Sequence, residues 1–156
     1  MASNFSFSRV PDVRVGLGST GQLANVAKAL RVQAPIIITD ERILDLGLLN
    51  TSISSFTATD VRPTIFSGVV SDPPEAILFE ALSTAKENGC DGVIGFGGGS
   101  SMDVAKVLSV LMAGDQNLGS MYGVDKVIGA RFPLIQIPTT AGTGSEATMV
   151  SVITTG

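Results

Sequence analysis

The sequence contains no histidine and only one cysteine, Cys90. Without histidine, the chain cannot build a Ser-His-Asp or Cys-His catalytic group or a histidine metal site. One cysteine cannot form an intrachain disulfide or a multi-cysteine metal site. Because no histidine can activate it, we expect Cys90 to be a small buried hydrophobic residue rather than a nucleophile. These absences exclude such catalysis within the chain itself.

Charge and long apolar runs are also scarce. Charged residues make up 15% of the 156 residues, and 10 lysines and arginines against 14 aspartates and glutamates give a net charge of −4. With no basic cluster, we expect neither nucleic acid nor a membrane surface as a partner. No apolar run reaches the ~18 residues of a membrane span, and the first residues lack a signal-peptide pattern, so we expect a cytoplasmic protein. The low aromatic content, 5%, indicates no particular substrate pocket.

Short apolar runs alternate with helical patterns along the chain. Strands are predicted at 35–39, 64–66, 92–96 and 133–137, with a last one within 148–155. Helices are predicted near 20–33, in pieces within 41–62, over 72–88 and from 101 to 114. This alternation predicts an α/β fold with a doubly wound, mainly parallel sheet, whose ligands lie at the carboxyl ends of the strands. At ~150 residues per domain, we expect residues 1–156 to form one domain.

Two helix starts carry capping signals. Ser19 and Gln22 have the spacing of a capping box at the first helix. Asp72 is predicted to cap the third helical region, with Pro73 at its first helical position and Glu75 completing the box.

Two glycine-rich segments are candidate phosphate loops. Gly16, Gly18 and Gly21 match G-x-G-x-x-G, with Asp40 about 20 residues further on, but in a glycine-rich chain a tight turn capped by Ser19 explains them equally well.

The segment Gly97 to Ser101 lies between a predicted strand and a helix, where backbone N–H groups and the helix dipole favour a pyrophosphate. Ser100 or Ser101 could instead cap the helix, or donate a hydroxyl to a phosphate. The segment is not a Walker A loop, because Ser101 and Met102 stand where that motif has lysine and Ser/Thr.

A third loop, residues 139–146, follows the strand at 133–137 and is rich in hydroxyls. An ordinary Ser/Thr turn would explain it, but at this end of a parallel strand its side chains would also line a ligand cleft. On the helix after the glycine loop, Asp103 and Lys106 have the spacing of an i,i+3 ion pair, the interpretation we favour.

The segment Gly97 to Lys106, followed by Ile137 to Glu146, closely resembles the iron-containing (group III) alcohol dehydrogenases of the dehydroquinate synthase-like superfamily. The resemblance extends to Ile38-Thr39-Asp40 and Gly68-Val69-Val70, and so to nearly the whole chain. It implies a Rossmann-like amino-terminal domain that binds NAD(P). The implied cofactor contacts are Asp40, Gly97, Gly98, Gly99, Ser100, Ser101, Asp103, Thr139, Thr140, Thr143 and Ser145.

Within this resemblance, the pyrophosphate lies on Gly98 to Ser100 rather than at Gly16, and the nicotinamide lies near Thr139, Thr140 and Thr143. Asp40 would bind the adenosine ribose and repel a 2′-phosphate, so NAD is predicted over NADP.

The family continues into an all-helical second domain, whose Asp and three His bind Fe²⁺ or Zn²⁺, and the present chain ends at Gly156 before these ligands. We therefore expect the cofactor half of an enzyme that interconverts alcohols with aldehydes or ketones, inactive alone. No catalytic residue is assigned. Apolar surface left open for the second domain predicts self-association, as a homo-oligomer, or poor solubility.

Two other functions stay open. The chain could be a standalone NAD(H)-binding module without catalysis. It could also be related to dehydroquinate synthase or glycerol-phosphate dehydrogenase, although the segment 139–146 argues against that.

Overall fold

The computed structural model describes residues 12–155 and alternates strands with helices. The strands are β1 (Pro35–Ile38), β2 (Thr64–Phe66), β3 (Gly92–Gly97) and β4 (Leu134–Pro138). The helices are α1 (Leu23–Ala29), α2 (Glu41–Asp45), α3 (Asn50–Phe56), α4 (Glu75–Glu87) and α5 (Gly99–Leu111). Short 3-10 turns cover Ser19–Gln22 and Leu118–Met121. The α/β class and the helical pieces within 41–62 are confirmed.

The four strands form one parallel sheet in the order β2-β1-β3-β4. The chain therefore runs outward from β1 to β2, returns across β1 to β3, and continues to β4. Because strand crossovers are right-handed, this reversal puts the connecting helices on opposite faces of the sheet. The doubly wound, Rossmann-like arrangement predicted from the sequence is confirmed.

The two faces of the sheet carry separate hydrophobic clusters. Helices α4 and α5 pack on the face that presents Ile36, Ile38 and Val93. Helices α1 and α3 pack on the opposite face, which presents Ile37 and Ile94. Covering both faces leaves the three isoleucines of β1 fully buried, and each contributes about 1.5–3 kcal/mol.

Little space is left around the backbone in the middle of β3, because neighbouring side chains lie close to it. A Cβ on Gly95 would come within 2.0 Å of Oε1 of Gln136 and 2.9 Å of Cβ of Ala105. Glycine therefore lets α5 and β4 approach this strand closely.

The helix predicted over 20–33 is shorter in the structure, where α1 covers Leu23–Ala29. The capping box of Ser19 with Gln22 is not formed. Gly18, in a left-handed conformation with φ of 72°, leads into the 3-10 turn, and no side chain caps it. The chain leaves the helical direction at Arg31, which has φ of 60°.

The predicted cap at Asp72 is also wrong. Helix α4 begins at Glu75 after Pro74, with no side-chain cap, and Asp72 has a positive φ of 49°. The reason is that Pro73 itself precedes a proline, which disfavours the helical conformation there. The helix therefore starts two residues later than its first proline suggests.

The last predicted strand, within 148–155, is not formed. In this segment the only pairing described within residues 12–155 is an isolated bridge between Pro74 and Thr154. The main chain of residues 148–152 is instead bound by side chains of α5.

Candidate functional site

The order of strands reverses between β1 and β3, which is where doubly wound sheets form their ligand crevice. Asp40 lies two residues after the end of β1, and Gly97 is the last residue of β3. A Cβ on Gly97 would lie 3.5 Å from Oδ2 of Asp40. Asp40, predicted to bind the adenosine ribose, therefore lies next to Gly97, another of the predicted cofactor contacts.

The turn at Gly97 requires glycine. Its φ is +150°, and a Cβ would lie 2.8 Å from Oγ and 3.0 Å from Cβ of Ser101. A side chain at this position would therefore collide with the first turn of α5.

Helix α5 starts at this turn without a side-chain cap. Its N-cap residue is Gly98, which makes no side-chain cap bond, so neither Ser100 nor Ser101 caps the helix. Ser101 is buried in the first turn, while Ser100 is partly exposed. The first N–H groups of an uncapped helix of this length favour an anion.

The third loop lies against the glycine turn. The amide of Thr139 donates a 2.9 Å hydrogen bond to the carbonyl of Gly97. A Cβ on Gly98 would lie 3.6 Å from Oγ1 of Thr140. The hydroxyl-rich segment after β4 thus forms the wall beside the turn, on the side predicted from the sequence.

The same loop reaches the first residue of α5. A Cβ on Gly99 would lie 3.4 Å from Cγ2 of Thr143 and 3.5 Å from Oγ of Ser145. Thr143 is exposed to solvent, whereas Ser145 is buried. The crevice can therefore offer hydroxyl groups next to backbone N–H groups.

The two carboxylate oxygens of Asp40 have different surroundings. Oδ1 accepts a 3.1 Å hydrogen bond from the amide of Ile43 and so caps α2. Oδ2 faces Gly97. One oxygen is therefore held by the fold, and the other can accept hydrogen bonds from a ligand hydroxyl.

Asp103 lies further along α5 and contacts a different part of the chain. Its Oδ2 accepts a 3.0 Å hydrogen bond from the amide of Val152. Nζ of Lys106 lies 3.0 Å from Oδ1, which confirms the predicted ion pair. The contact of Asp103 with a cofactor stays a prediction.

A family model described as iron-containing alcohol dehydrogenase matches residues 11–156. The chain belongs to that family. Residues 12–155 therefore display the strand, turn and crevice of an iron-containing alcohol dehydrogenase, as the resemblance of the sequence motifs indicated.

Several relatives share this stretch of the iron-containing alcohol dehydrogenases. Sulfoacetaldehyde reductase of Bilophila wadsworthia is 33% identical over 88% of the chain and 36% of the relative. The probable alcohol dehydrogenase EutG of Escherichia coli is 34% identical over 95% of the chain and 38% of the relative. The chain thus spans well under half the length of these proteins.

Solved structures agree with the fold. Alcohol dehydrogenase from Oenococcus oeni superposes with a TM-score of 0.90 at 28% identity, covering 97% of this chain and 40% of that one. Sulfoacetaldehyde reductase from Bifidobacterium kashiwanohense, in complex with NAD+, superposes with a TM-score of 0.86 at 28% identity, covering 99% of this chain and 41% of that one.

The residues of this family member do not fit a metal site. The whole sequence lacks histidine. No group of three or more acidic or cysteine side chains that could hold a metal occurs among residues 12–155.

Cys90 is buried as predicted, and that burial raises the pKa of its thiol. The same stretch of chain includes no helix long and apolar enough to cross a membrane.

The first glycine motif is a turn. The amide of Ser19 donates to the carbonyl of Gly16, and that of Gly21 to the carbonyl of Gly18. No strand precedes it within residues 12–15, so the strand-turn-helix context of a dinucleotide fingerprint is missing.

The sequence interpretation missed two polar residues beside the site. The hydroxyl of Thr39, directly before Asp40, is fully buried and has no hydrogen-bond partner within residues 12–155. Gln136 lies in the otherwise apolar β4 and donates a 2.9 Å hydrogen bond to the carbonyl of Met102 at the start of α5. A single amide in an apolar strand is the signal that could have identified Gln136.

Proposed function

We propose that this chain binds NAD in the crevice between β1 and β3, as the cofactor-binding part of an alcohol dehydrogenase that interconverts alcohols with aldehydes or ketones. The observation that carries the proposal is the uncapped start of α5, where Gly97 leaves no room for a side chain. An anion placed there meets free N–H groups and the positive end of the helix dipole. The relatives named as reductases and alcohol dehydrogenases support the class of reaction.

The pyrophosphate would be held by the backbone of Gly98 to Ser100. Hydroxyls of Thr139, Thr140 and Thr143 would bind the part of the cofactor that lies over the third loop. The amide of Thr139 holds the start of this loop against the glycine turn, which supports a site that is partly formed before the cofactor arrives.

Asp40 would select NAD. The oxygen that faces Gly97 can accept a hydrogen bond from a ribose 2′-hydroxyl, whereas a 2′-phosphate would meet a negative charge at the same place. The structure of a relative in complex with NAD+ supports this choice.

When bound, NAD supplies the carbon that accepts or donates the hydride. The residues of this chain contribute binding and orientation. They cannot polarise the substrate oxygen through a metal, since their donor set does not fit one. We propose that the ligands of Fe²⁺ or Zn²⁺ lie outside residues 1–156.

Calorimetric titration with NADH tests the proposal, using two matched variants. In Gly99→Asp, a carboxylate is placed at the uncapped helix start, and we expect at least about tenfold weaker binding. Gly16→Asp introduces the same charge where nothing lies within 4 Å, in the competing glycine motif. We expect it to bind like the original chain.

Either of two results would contradict the assignment. Unchanged NADH binding by a folded Gly99→Asp variant would remove the pyrophosphate from this turn. Loss of binding only in Gly16→Asp would place it on the first glycine motif. Absence of NADH binding by the original chain would refute the proposed function itself.

A further inference from the structure

The segment that follows the third loop, residues 148–154, is hydrogen-bonded to α5 and to the start of α4, and is called the strap below. Nζ of Lys106 donates to the carbonyl of Thr148 at 3.4 Å and also to the carbonyl of Val150. Oδ2 of Asp103 accepts a hydrogen bond from the amide of Val152. Two side chains of α5 thus bind three main-chain groups of the strap.

The far end of the strap is attached to α4. The amide of Thr154 donates a 2.9 Å hydrogen bond to the carbonyl of Pro73, and the carbonyl of Thr154 accepts one from the amide of Glu75 at 3.2 Å. The strap therefore has main-chain partners at this end, whereas the hydrogen bonds described for residues 149–152 all run to the charged pair of α5.

The charged pair is more buried than an ordinary surface ion pair. The side chains of Lys106 and Asp103 are only 13% and 10% exposed. Removing charges from water is costly, and an ion pair at this depth contributes little net stability compared with apolar residues of the same size. A role in holding the strap therefore explains the presence of this ion pair better than a contribution to the stability of the fold does.

The strap is coupled to the part of the third loop that faces the glycine turn. The amides of Ala147 and Thr148 both donate 2.9 Å hydrogen bonds to the carbonyl of Gly144. Thr143 and Ser145 flank that glycine and are the residues nearest to Gly99. A displacement of Thr148 would therefore shift the wall of the crevice.

We propose that Asp103 and Lys106 are positioning residues, which hold Thr143 and Ser145 against the start of α5 by fixing the strap. This inference rests on the proposed function. It assigns the pair to the nicotinamide side of the cofactor, because the third loop and not the β1 end of the crevice depends on the strap. Neither side chain needs to touch the cofactor.

Binding of two ligands by the purified chain tests the proposal. NADH carries the nicotinamide, whereas ADP-ribose has the adenosine and the pyrophosphate without it. We expect Lys106→Met to weaken NADH binding about tenfold and to leave the affinity for ADP-ribose within about twofold. Lys106→Arg keeps a cation at the position, and we expect it to recover most of the NADH affinity.

A second variant controls for the effect of misfolding on ligand binding. Lys106→Met alone leaves the carboxylate of Asp103 buried without its cation, which is strongly destabilising. In the double variant Asp103→Asn with Lys106→Met, both charges are removed, and the asparagine oxygen can still accept from the amide of Val152. We expect the double variant to fold and to show the same selective loss of NADH binding.

Hydrogen exchange without any nucleotide provides a readout independent of the proposed function. We expect the amides of Ala147 and Thr148 to exchange faster in the double variant, while amides in β3 keep their protection. Unchanged exchange at these two amides would overturn the inference. Equal weakening of NADH binding and ADP-ribose binding would also overturn it, because that result indicates a general structural effect. If the original chain binds neither ligand, the proposed function fails, and the exchange result alone decides whether the pair positions the loop.

Discussion

Replacing Asp40 with asparagine separates the two tasks of its carboxylate. One oxygen caps α2 by accepting from the amide of Ile43, and the other faces Gly97 across the crevice. Asparagine is as good an N-cap as aspartate, so Asp40→Asn preserves the cap while it removes the negative charge. The variant should therefore change the choice between NADH and NADPH without changing stability.

The size of the change follows from Coulomb's law. Two unit charges about 6 Å apart interact by about 3 kcal/mol at an effective dielectric constant of about 20. Because Asp40 is partly exposed, screening by solvent and salt reduces this to about 1.5–2.5 kcal/mol. We therefore expect the preference for NADH over NADPH to fall by about 10- to 100-fold.

The assay is calorimetric titration of each variant with NADH and with NADPH at one salt concentration. Asp40→Ala serves as the control, because it removes both the charge and the cap. We expect it to change the nucleotide preference equally and also to lose about 1 kcal/mol of stability. An unchanged preference in a folded Asp40→Asn variant that binds NADH would refute the role of Asp40 at the ribose.

Three further predictions concern groups outside the crevice. Tyr122 is the only tyrosine, and its hydrogen bond to Glu75 raises its pKa to about 12. We expect its phenolate absorbance to appear near that pH. The stabilising contribution of the contact should be present below pH ~10 and be lost as the pH rises to about 12. The variant Glu75→Gln should return the midpoint of the phenolate titration to ~10. Gly95→Ala should lower the free energy of unfolding, measured in denaturant, by about 1–3 kcal/mol. Adding Gln136→Ala should recover part of that loss, because the side-chain oxygen of Gln136 is the nearest atom to the added methyl group. Cys90 should react with a thiol reagent at least about tenfold more slowly in the folded chain than in denaturant, and equal rates would show that the thiol is accessible.

The core of the fold could be predicted because its signals are local. The run of isoleucines in β1 and the apolar run in β3 indicate strands covered on both faces, and the structure buries them fully. The start of α4 was misplaced, because the capping pattern at Asp72 and Pro73 takes no account of the second proline, which disfavours a helical conformation at the first. The conformation at 148–155 was not readable, because its main-chain groups bind Asp103 and Lys106, which lie far away along the chain.

The same distinction applies to the candidate site. Both glycine segments are candidate phosphate loops in the sequence, but among residues 12–155 only the one at Gly97 directly follows a strand. The proximity of the third loop to Gly99 followed from the rule that parallel strands end at one edge of the sheet. The contact of Gln136 with the start of α5 depends on the depth of helix packing against Gly95, which no local pattern specifies.

The position of β1 inside the sheet has a consequence for how the protein is made. Strand β1 can pair with β2 as soon as Phe66 has left the ribosome, but its other edge waits for β3. At ~5–20 residues per second, the intervening chain takes about 2 to 6 s to emerge. During that time the edge of Ile36, Ile37 and Ile38 is an open template for strands of other nascent chains. The yield of correctly folded protein should therefore depend on the speed of translation between β2 and β3 more than on the stability of the finished fold.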